Sequence, residues 1–419
     1  MTSRRPIAYL VRRFPRLSET FVLNEFLEVR KTGWELRLYA LLHSGEEVVH
    51  PAAMELVPGV GYVNLAGRPW RSRWRLLRGA AAQAAARPAG LLRVLWALLW
   101  VNRSIPSLGN ATEGLWLAGE LRKRGVSHLH AHFAHSPAAV AYFCRLAGGP
   151  PFSFTAHAKD LYTTEPRRLR VRAQAARFVI TCTESNGRHL RALFGGDVSV
   201  PVHVIHHGTD LERFHPAHRR PERGLIVSVG RMVPKKGFPY LVRALDQLAR
   251  AGYDVRCELY GGGPERVELE AMADGLELGG RLSFHGARPM DDIVAAYARA
   301  TVFVLAPVVL ADGDRDGIPN VLVEAMAAGV PVVSTRISGI PELIEDGVHG
   351  ILVEPEDSEA LAAAIRSLLD DGELAAGLAA AGRRKVERDF DLVANSRLVS
   401  ELLAEPPATG TPSRPAVPG

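Results

Sequence analysis

LIVSVGRMVPKKGFPYLVRALDQLARAGYDVRCELYGGG occupies residues 225–263. The run LIVSVG is almost wholly apolar and β-branched, and it stops at Gly230. PYLVRALDQLARAG (239–252) then opens on a proline and closes on a glycine, the asymmetry of a helix. VRCELYG returns to strand character. Downstream the alternation continues. The strands are RLSFHG, TVFVLAP, PVVSTR and GILVEP, and the helices are PERVELEAMADGLEL, DDIVAAYARA, PNVLVEAMAAG, the short PELIEDG and SEALAAAIRSLLDD. Strands this continuously apolar need cover on both faces. A β-α repeat of this kind predicts an α/β fold built on a doubly wound parallel sheet.

The first half repeats the theme less regularly. IAYLV (7–11) reads as a strand, followed by a helix from about Ser18 to Thr32 capped by Ser18. WELRLYALL is a further strand. VSHLHAHFA leads into SPAAVAYFCRLAG, with Ser136 as cap and Pro137 at the first helical position. PFSFTAHA, ARFVITCTE and VHVIHHG complete the set. RFHPAHRRPERG (213–224), polar and broken by Pro and Gly, reads as an interdomain linker. The expected organisation is a first domain over 1–212, the linker, and a second domain over 225–385. A terminal helix over 386–403 is expected to pack back toward the first domain, before a disordered Pro-rich tail over 404–419.

Composition narrows the class. The chain has 419 residues, 51 Lys+Arg against 45 Asp+Glu, and only six lysines. Its three cysteines are far apart and no CxxC occurs, which disfavours a disulfide framework or a thiolate zinc site and suits a reducing compartment. No apolar run near the N-terminus suits a signal peptide. The longest apolar stretch, Ala89 to Val101, is broken by Arg93 and falls short of the roughly 20 residues a spanning helix needs. The expectation is a cytoplasmic protein, at most peripheral on the inner face of a membrane. Residues 56–112 contain no Asp or Glu, and within them 68–103 carries eight Arg and four Trp. This segment reads either as helices packed in the first domain with Arg outward, or as an element lying on an anionic membrane surface. No aromatic-basic RNA motif or recognition helix appears, so nucleic acid is not an expected partner.

Two stretches concentrate chemistry. In GRMVPKKG, Arg231, Lys235 and Lys236 follow a strand's carboxyl end, where open α/β sheets bind ligands. Cations converging there suit a diphosphate, although solvated loop charges remain an alternative. In DGDRDGIPNVLVEAMAAG, Asp316 precedes a helix starting near Pro319, and Glu324 stands alone in an otherwise apolar helix. Such a carboxylate is expensive to bury unless it faces a polar site. Gly317, Ile318 and Asn320 bring free helix N–H groups within reach of phosphate or sugar oxygens. Asp312, Asp314 and Asp316 imitate a calcium loop, but the required Glu position is Val323. HLHAHFAH offers four histidines (128, 130, 132, 135), yet no matching ligand set follows and no metal is expected. His157 ends an apolar strand, placed either to meet a substrate hydroxyl or simply to pack. His206 and His207 end another. No GxGxxG follows a strand, and the P-loop spacing is absent.

GRMVPKKG, LYGGGPE, DGIPNVLVEAMAAGVPVVST and SGIPELIEDGVHGILVEP, in this order, resemble the retaining glycosyltransferases of family 4. RFPRLSETFVLNEF, HAHFA, FTAHAKDL and IHHGTDLERF are similar to the exopolysaccharide subgroup that includes colanic-acid and amylovoran transferases. The resemblance implies the GT-B fold, two facing Rossmann-like domains with the site in the cleft. It implies a nucleoside diphosphate sugar donor, UDP- or GDP-linked, as co-substrate with no metal cofactor, and a saccharide acceptor, lipid-linked or free. Arg231 and Lys236 would hold the diphosphate and Glu324 the ribose. Asp316 stands where the family usually has Glu, and with His157 it would meet the donor sugar. The loop after the first strand lacks the glycine pair of many relatives, leaving Ser18 and Glu19 as the acceptor contacts. Two other readings stay open on sequence: a nucleotide-sugar epimerase on the same fold, and a non-catalytic peripheral membrane or scaffold protein.

Overall fold

The computed structural model of the chain describes residues 5–16, 19–46, 49–63, 70–100 and 105–405. Two parallel sheets organise it. The first comprises β1 (Ile7–Phe14), β2 (Leu36–His43), β3 (Gly61–Tyr62), β4 (His128–His132), β5 (Phe152–Ala156), β6 (Val179–Thr181) and β7 (Val202–Val204), in spatial order 3-2-1-4-5-6-7. The second comprises β8 (Leu225–Val229), β9 (Arg256–Tyr260), β10 (Leu282–Gly286), β11 (Val302–Val304), β12 (Val332–Thr335) and β13 (Ile351–Val353), in order 10-9-8-11-12-13. Every pairing between these strands is parallel. The apolar runs became buried strands: β4 and β5 are buried at all five positions each, as cover by helices on both faces demands. This is the doubly wound architecture expected from the β-α repeat, occurring twice.

Both sheets reverse their winding direction once, between β1 and β4 and between β8 and β11. Loops leaving the carboxyl ends of neighbouring strands diverge at such a point and leave a crevice. The crevice of the second sheet therefore lies between the loop 230–237 and the loop 305–319.

Among the described residues, three apolar cores form. One fills the second domain around Phe303, Tyr297, Leu245 and Ile365. The other two lie on opposite faces of the first sheet. Leu117, Phe143 and Phe154 belong to one, and Tyr9, Phe26 and Val399 to the other. Val399 comes from the last helix, Leu392–Ala404, which crosses back from the second domain to lie against the helix Thr20–Lys31. There Ser400 Oγ meets Thr32 Oγ1 at 2.7 Å and the Trp34 indole at 3.1 Å. The chain breaks between helices at Phe390 and Asp391, so residues 386–389 belong to the preceding helix, Gly372–Asp389. Asp391 caps the last helix by accepting the Ala394 N–H at 2.6 Å. The tail beyond Glu405 lies outside the described residues.

Residues 213–224 form an irregular segment with one short turn, Pro216–His218. Arg213 bridges from it to Asp291 at 2.6 Å in the second domain and to His50 at 3.2 Å in the first. Among the described residues of 68–103, two helices occur, Trp70–Ala86 and Pro88–Trp100. Arg68 and Arg103 lie outside the described residues. No helix among the described residues is long and apolar enough to cross a membrane.

Candidate functional site: a cationic crevice between two facing domains

The loop after β8 is shaped by its neighbours. Gly230 and Met232 donate their N–H groups to Tyr260 and Gly262 at 2.8 and 2.9 Å. A short turn, Pro234–Lys236, then ends at Gly237 with φ +66°. A Cβ on Gly237 would stand 1.7 Å from the Ala306 carbonyl oxygen. Only glycine permits that approach, which presses the lysine loop onto the segment following β11. Val308 N–H bonds to the Lys235 carbonyl at 2.9 Å and completes the contact.

The pressure brings charges together. Lys236 Nζ lies 2.6 Å from Asp316, and Lys235 Nζ lies 3.2 Å from Asp316 and 3.0 Å from Asp314. A third lysine reaches Asp314 from the first domain, Lys159 at 2.9 Å. Three of the chain's six lysines thus converge on two aspartates. Burial pushes the Asp316 carboxyl up, but the two ammonium groups outweigh it and hold it below the usual range. Burial likewise opposes ionisation of Asp314, and Lys159 and Lys235 overcome it. The DGDRDG loop is therefore a counter-ion for lysines, which disfavours reading it as a cation site.

Arg231 is exposed at the end of β8. Gly317 and Ile318 lead into the helix Asn320–Ala327, whose first N–H groups have no intrahelical partner. Glu324 sits on that helix and lines a cavity of about 360 Å³ between the domains. Asn320 and Met290 line the same cavity from the second domain, and Phe21, Asn24 and His207 from the first. Glu324 accepts a hydrogen bond from the Tyr297 hydroxyl at 3.1 Å. Burial raises its pKa to about 7, against the opposing Tyr297 bond and the Arg213 charge.

That shift has a sign. Between the unfolded value of 4.5 and the folded value of about 7, the folded protein keeps a proton that the unfolded chain has lost. Stability therefore falls as pH rises through this window, by up to about 3 kcal/mol. Glu324→Gln is expected to raise the melting temperature over wild type at about pH 8, with the gain shrinking at about pH 5. An equal gain at both pH values would show that the carboxyl is already ionised in the folded protein.

His157 follows β5 directly and opens the short helix Ala158–Thr163. Its backbone N–H donates to Asp160 Oδ1 at 3.0 Å, and Asp160 Oδ2 receives the Ala134 N–H from the loop after β4. This carboxylate fixes the two loops of the first domain to each other. The imidazole packs between Phe133 and His207, with centroids at 4.5 and 5.0 Å. His157 Nδ1 lies 3.2 Å from His207 Nε2, and its buried Nε2 has no protein partner. Burial, reinforced by neighbouring imidazoles, depresses the pKa of His157 well below the usual value, and burial lowers that of His207 to about 4. Both rings are neutral at pH 7, so one of them donates to the other.

The histidine run has a different role. His128, His130 and His132 alternate onto one face of β4. His128 Nε2 and His130 Nδ1 share Ser153 Oγ at 2.7 and 2.8 Å, and His130 Nε2 reaches Thr155 Oγ1 at 3.0 Å. His132 Nε2 meets Glu25 at 3.2 Å, which also accepts the Tyr9 hydroxyl. Glu25, His130 and His132 have the proximity of a metal set, but both nitrogens of His130 are already engaged. His157, Cys182 and His207 form a second such group. Burial pushes the Cys182 thiol up to about 12, and the imidazoles engage each other, so the donor set is a poor one.

Ser18 lies outside the described residues. The first-domain helix starts at Thr20, preceded by Glu19, whose side chain makes no cap bond. Glu19 instead pairs with Arg16 at 2.6 Å and lines a separate small cavity with Phe14 and Val22. The same helix presents Thr20, Phe21 and Asn24 to the interdomain cavity. Motif reading also missed the contact between the domains. Glu342 accepts the Glu184 and Ser185 N–H groups, each at 2.7 Å, at the start of the first-domain helix Glu184–Phe194. Thr183 of that helix packs against Gly317 and Gly339, where an added Cβ would come within 3.3 and 2.6 Å of its methyl. Glu342→Ala removes two charge-assisted bonds between the domains. It is expected to raise the donor KM about tenfold and to enlarge the radius of gyration in small-angle scattering. An unchanged KM and scattering profile would show that other contacts hold the domains.

Two facing doubly wound domains around such a crevice define the GT-B architecture. A model described as "Glycosyl transferases group 1" matches residues 210–385, and one described as "Glycosyltransferase Family 4" matches 83–213. WcaL of Escherichia coli (strain K12), a glycosyltransferase assigned by name to colanic acid biosynthesis, is 30% identical over 419 residues, covering 95% of this chain and 99% of its own. AmsK of Erwinia amylovora, an amylovoran biosynthesis glycosyltransferase, is 36% identical over 207 residues, covering 48% of this chain and 50% of its own. The chain belongs to the family-4 glycosyltransferases. Among solved structures, Anabaena HepE in complex with UDP shares the fold at a TM-score of 0.70 and 18% identity, over 95% of this chain and 99% of that one.

Proposed function

We propose that the protein is a retaining, metal-independent hexosyltransferase acting in exopolysaccharide or cell-surface glycan synthesis. It moves a sugar from a UDP- or GDP-linked donor to a saccharide acceptor carried on a lipid. The observation that carries this reading is the lysine pair at the strand-end crevice, whose partner Asp314 is also reached from the first domain by Lys159. Two ammonium groups balanced by Asp314 and Asp316 form a site whose counter-ions a diphosphate can replace. Glu324 lies at the other end, in the interdomain cavity, where ribose hydroxyls can bond to it. WcaL and AmsK act, by name, in colanic acid and amylovoran biosynthesis. A GDP-mannose-dependent mannosyltransferase of Mycolicibacterium smegmatis, 32% identical over 252 residues, acts by name on phosphatidylinositol monomannoside. HepE has been solved with UDP-glucose.

In this reading the bond from the anomeric carbon to the donor phosphate breaks, and the acceptor oxygen bonds to that carbon from the same face. The acceptor proton passes to the departing phosphate. Lys235, Lys236 and the N–H groups of the helix Asn320–Ala327 stabilise the leaving charge. Arg231 supplies a further cation from the end of β8. Asp316 and the neutral His157 orient the sugar. The test is a thermal-shift panel of UDP, GDP and their sugars, with and without EDTA. A shift that survives EDTA supports the reading, and the preferred nucleotide names the donor. No shift with any of them would overturn it.

A further inference from the structure

Among the described residues, the acid-free stretch exposes a concentration of large apolar side chains. Of the fifteen large hydrophobic side chains exposed among the described residues, eight fall between Trp74 and Leu108. On the helix Pro88–Trp100, Gly90, Val94 and Ala97 face the protein. Leu92, Leu95, Trp96 and Leu99, spaced by three and four residues, form the opposite stripe. Leu92 is 66% exposed and Leu99 63%. Beside this stripe, the helix Trp70–Ala86 exposes Trp74 and Leu77 together with Arg75 and Arg78, and Arg93 is exposed on the stripe helix itself. A helix facing water is expected to be polar on its outer side, and a row of exposed large apolar side chains marks an interaction surface.

Direction gives the surface its meaning. Gly90 backs onto the Ala147 main chain, where an added Cβ would come within 3.1 Å. Ala147 ends the helix Ser136–Leu146, on the side away from the crevice. At the other end, Arg167 Nη2 donates to the Trp100 carbonyl at 3.2 Å. Arg167 opens the helix Pro166–Ala175, directly after the short helix that His157 begins. The stripe therefore runs from the amino edge of the first sheet to its carboxyl edge and ends on the side of the cleft.

We infer that this stripe lies in the headgroup region of an anionic lipid bilayer and brings the rim of the cleft to the membrane surface. Tryptophan and leucine enter the interface, while arginines along both helices meet lipid phosphates. Charge selects this occupant: the segment has eight Arg and no acidic residue, so a second copy would set like charge against like. The approach of the cleft to a lipid-linked acceptor rests on the proposed function, whereas vesicle binding does not.

The test is co-sedimentation of the full chain with vesicles of equal phosphatidylglycerol and phosphatidylcholine, and with pure phosphatidylcholine, at low and high salt. Binding is expected to the anionic vesicles and to weaken with salt. The double variant Leu92→Ser/Trp96→Ser changes only exposed positions and is expected to bind the anionic vesicles at least about tenfold more weakly. Its thermal shift with nucleoside diphosphates is expected to match wild type. Failure of the wild type to sediment would overturn the surface while leaving a nucleotide shift, and with it the proposed function, intact. A wild-type dimer that the double variant dissociates would also overturn it, by assigning the stripe to a second copy.

Discussion

Lys236→Ala is expected to lower kcat for sugar transfer about 10²- to 10³-fold while the protein stays folded. The size follows from where the ammonium sits. It lies 2.6 Å from Asp316, on a loop pressed against the end of β11 by the close approach of Gly237 to Ala306. In the proposed reaction negative charge grows on the departing diphosphate, and a fixed cation in a partly enclosed site stabilises that state more than the ground state. Folding is affected far less. Lys235 stays within 3.2 Å of Asp316, so the carboxylate keeps one partner, and a loss of about 1–2 kcal/mol is expected. Steady-state transfer assays and thermal melts on the same preparation check both halves. Transfer within a factor of about three of wild type, on a scale where tenfold is 1.4 kcal/mol, would place the diphosphate elsewhere.

His157→Ala is expected to reduce kcat about 10²-fold and to leave nucleoside diphosphate affinity nearly unchanged. The imidazole is held by Phe133 and His207, and its Nε2 is buried without a protein partner. A polar atom left unbonded inside a protein is costly unless a ligand engages it, and the donor sugar is the part of the substrate that the proposed function places here. In the proposed site the side chain would bond the sugar and not the nucleotide, which separates kcat from UDP or GDP binding. Because burial keeps the ring neutral well below its usual pKa, no titration of His157 near pH 6.5 is expected in the wild-type rate profile. Nucleotide affinity falling in parallel with kcat would reassign the ring to the diphosphate.

The histidine run shows how far local pattern reaches. A period of two puts His128, His130 and His132 on one face of β4 whatever the fold, and the sequence shows as much. What that face meets depends on β5 lying beside β4 in register, His130 opposite Ser153 and His132 opposite Thr155. That pairing turns an apparent metal set into a hydrogen-bonded ladder. The start of the first helix, where Ser18 lies outside the described residues, makes a related point. Serine is a good cap by propensity, but here Glu19 takes the cap position and its side chain bonds Arg16 instead. Lysine scarcity was the signal that would have found Lys159, since half of the six lysines serve one pair of aspartates.

By itself the sequence determined the doubly wound fold, the cationic loop after β8 and the helix that carries Glu324. Each depends on spacing within about twenty residues, on strands apolar throughout and helices bounded by Pro and Gly. Only the tertiary structure decided which charges share a site and which apolar side chains are exposed among the described residues. Lys159 and Asp314 are 155 residues apart, and Glu342 and Glu184 are 158 apart. They meet because two sheets reverse direction at facing points, and strand order in space is not written in the local periodicity of any segment.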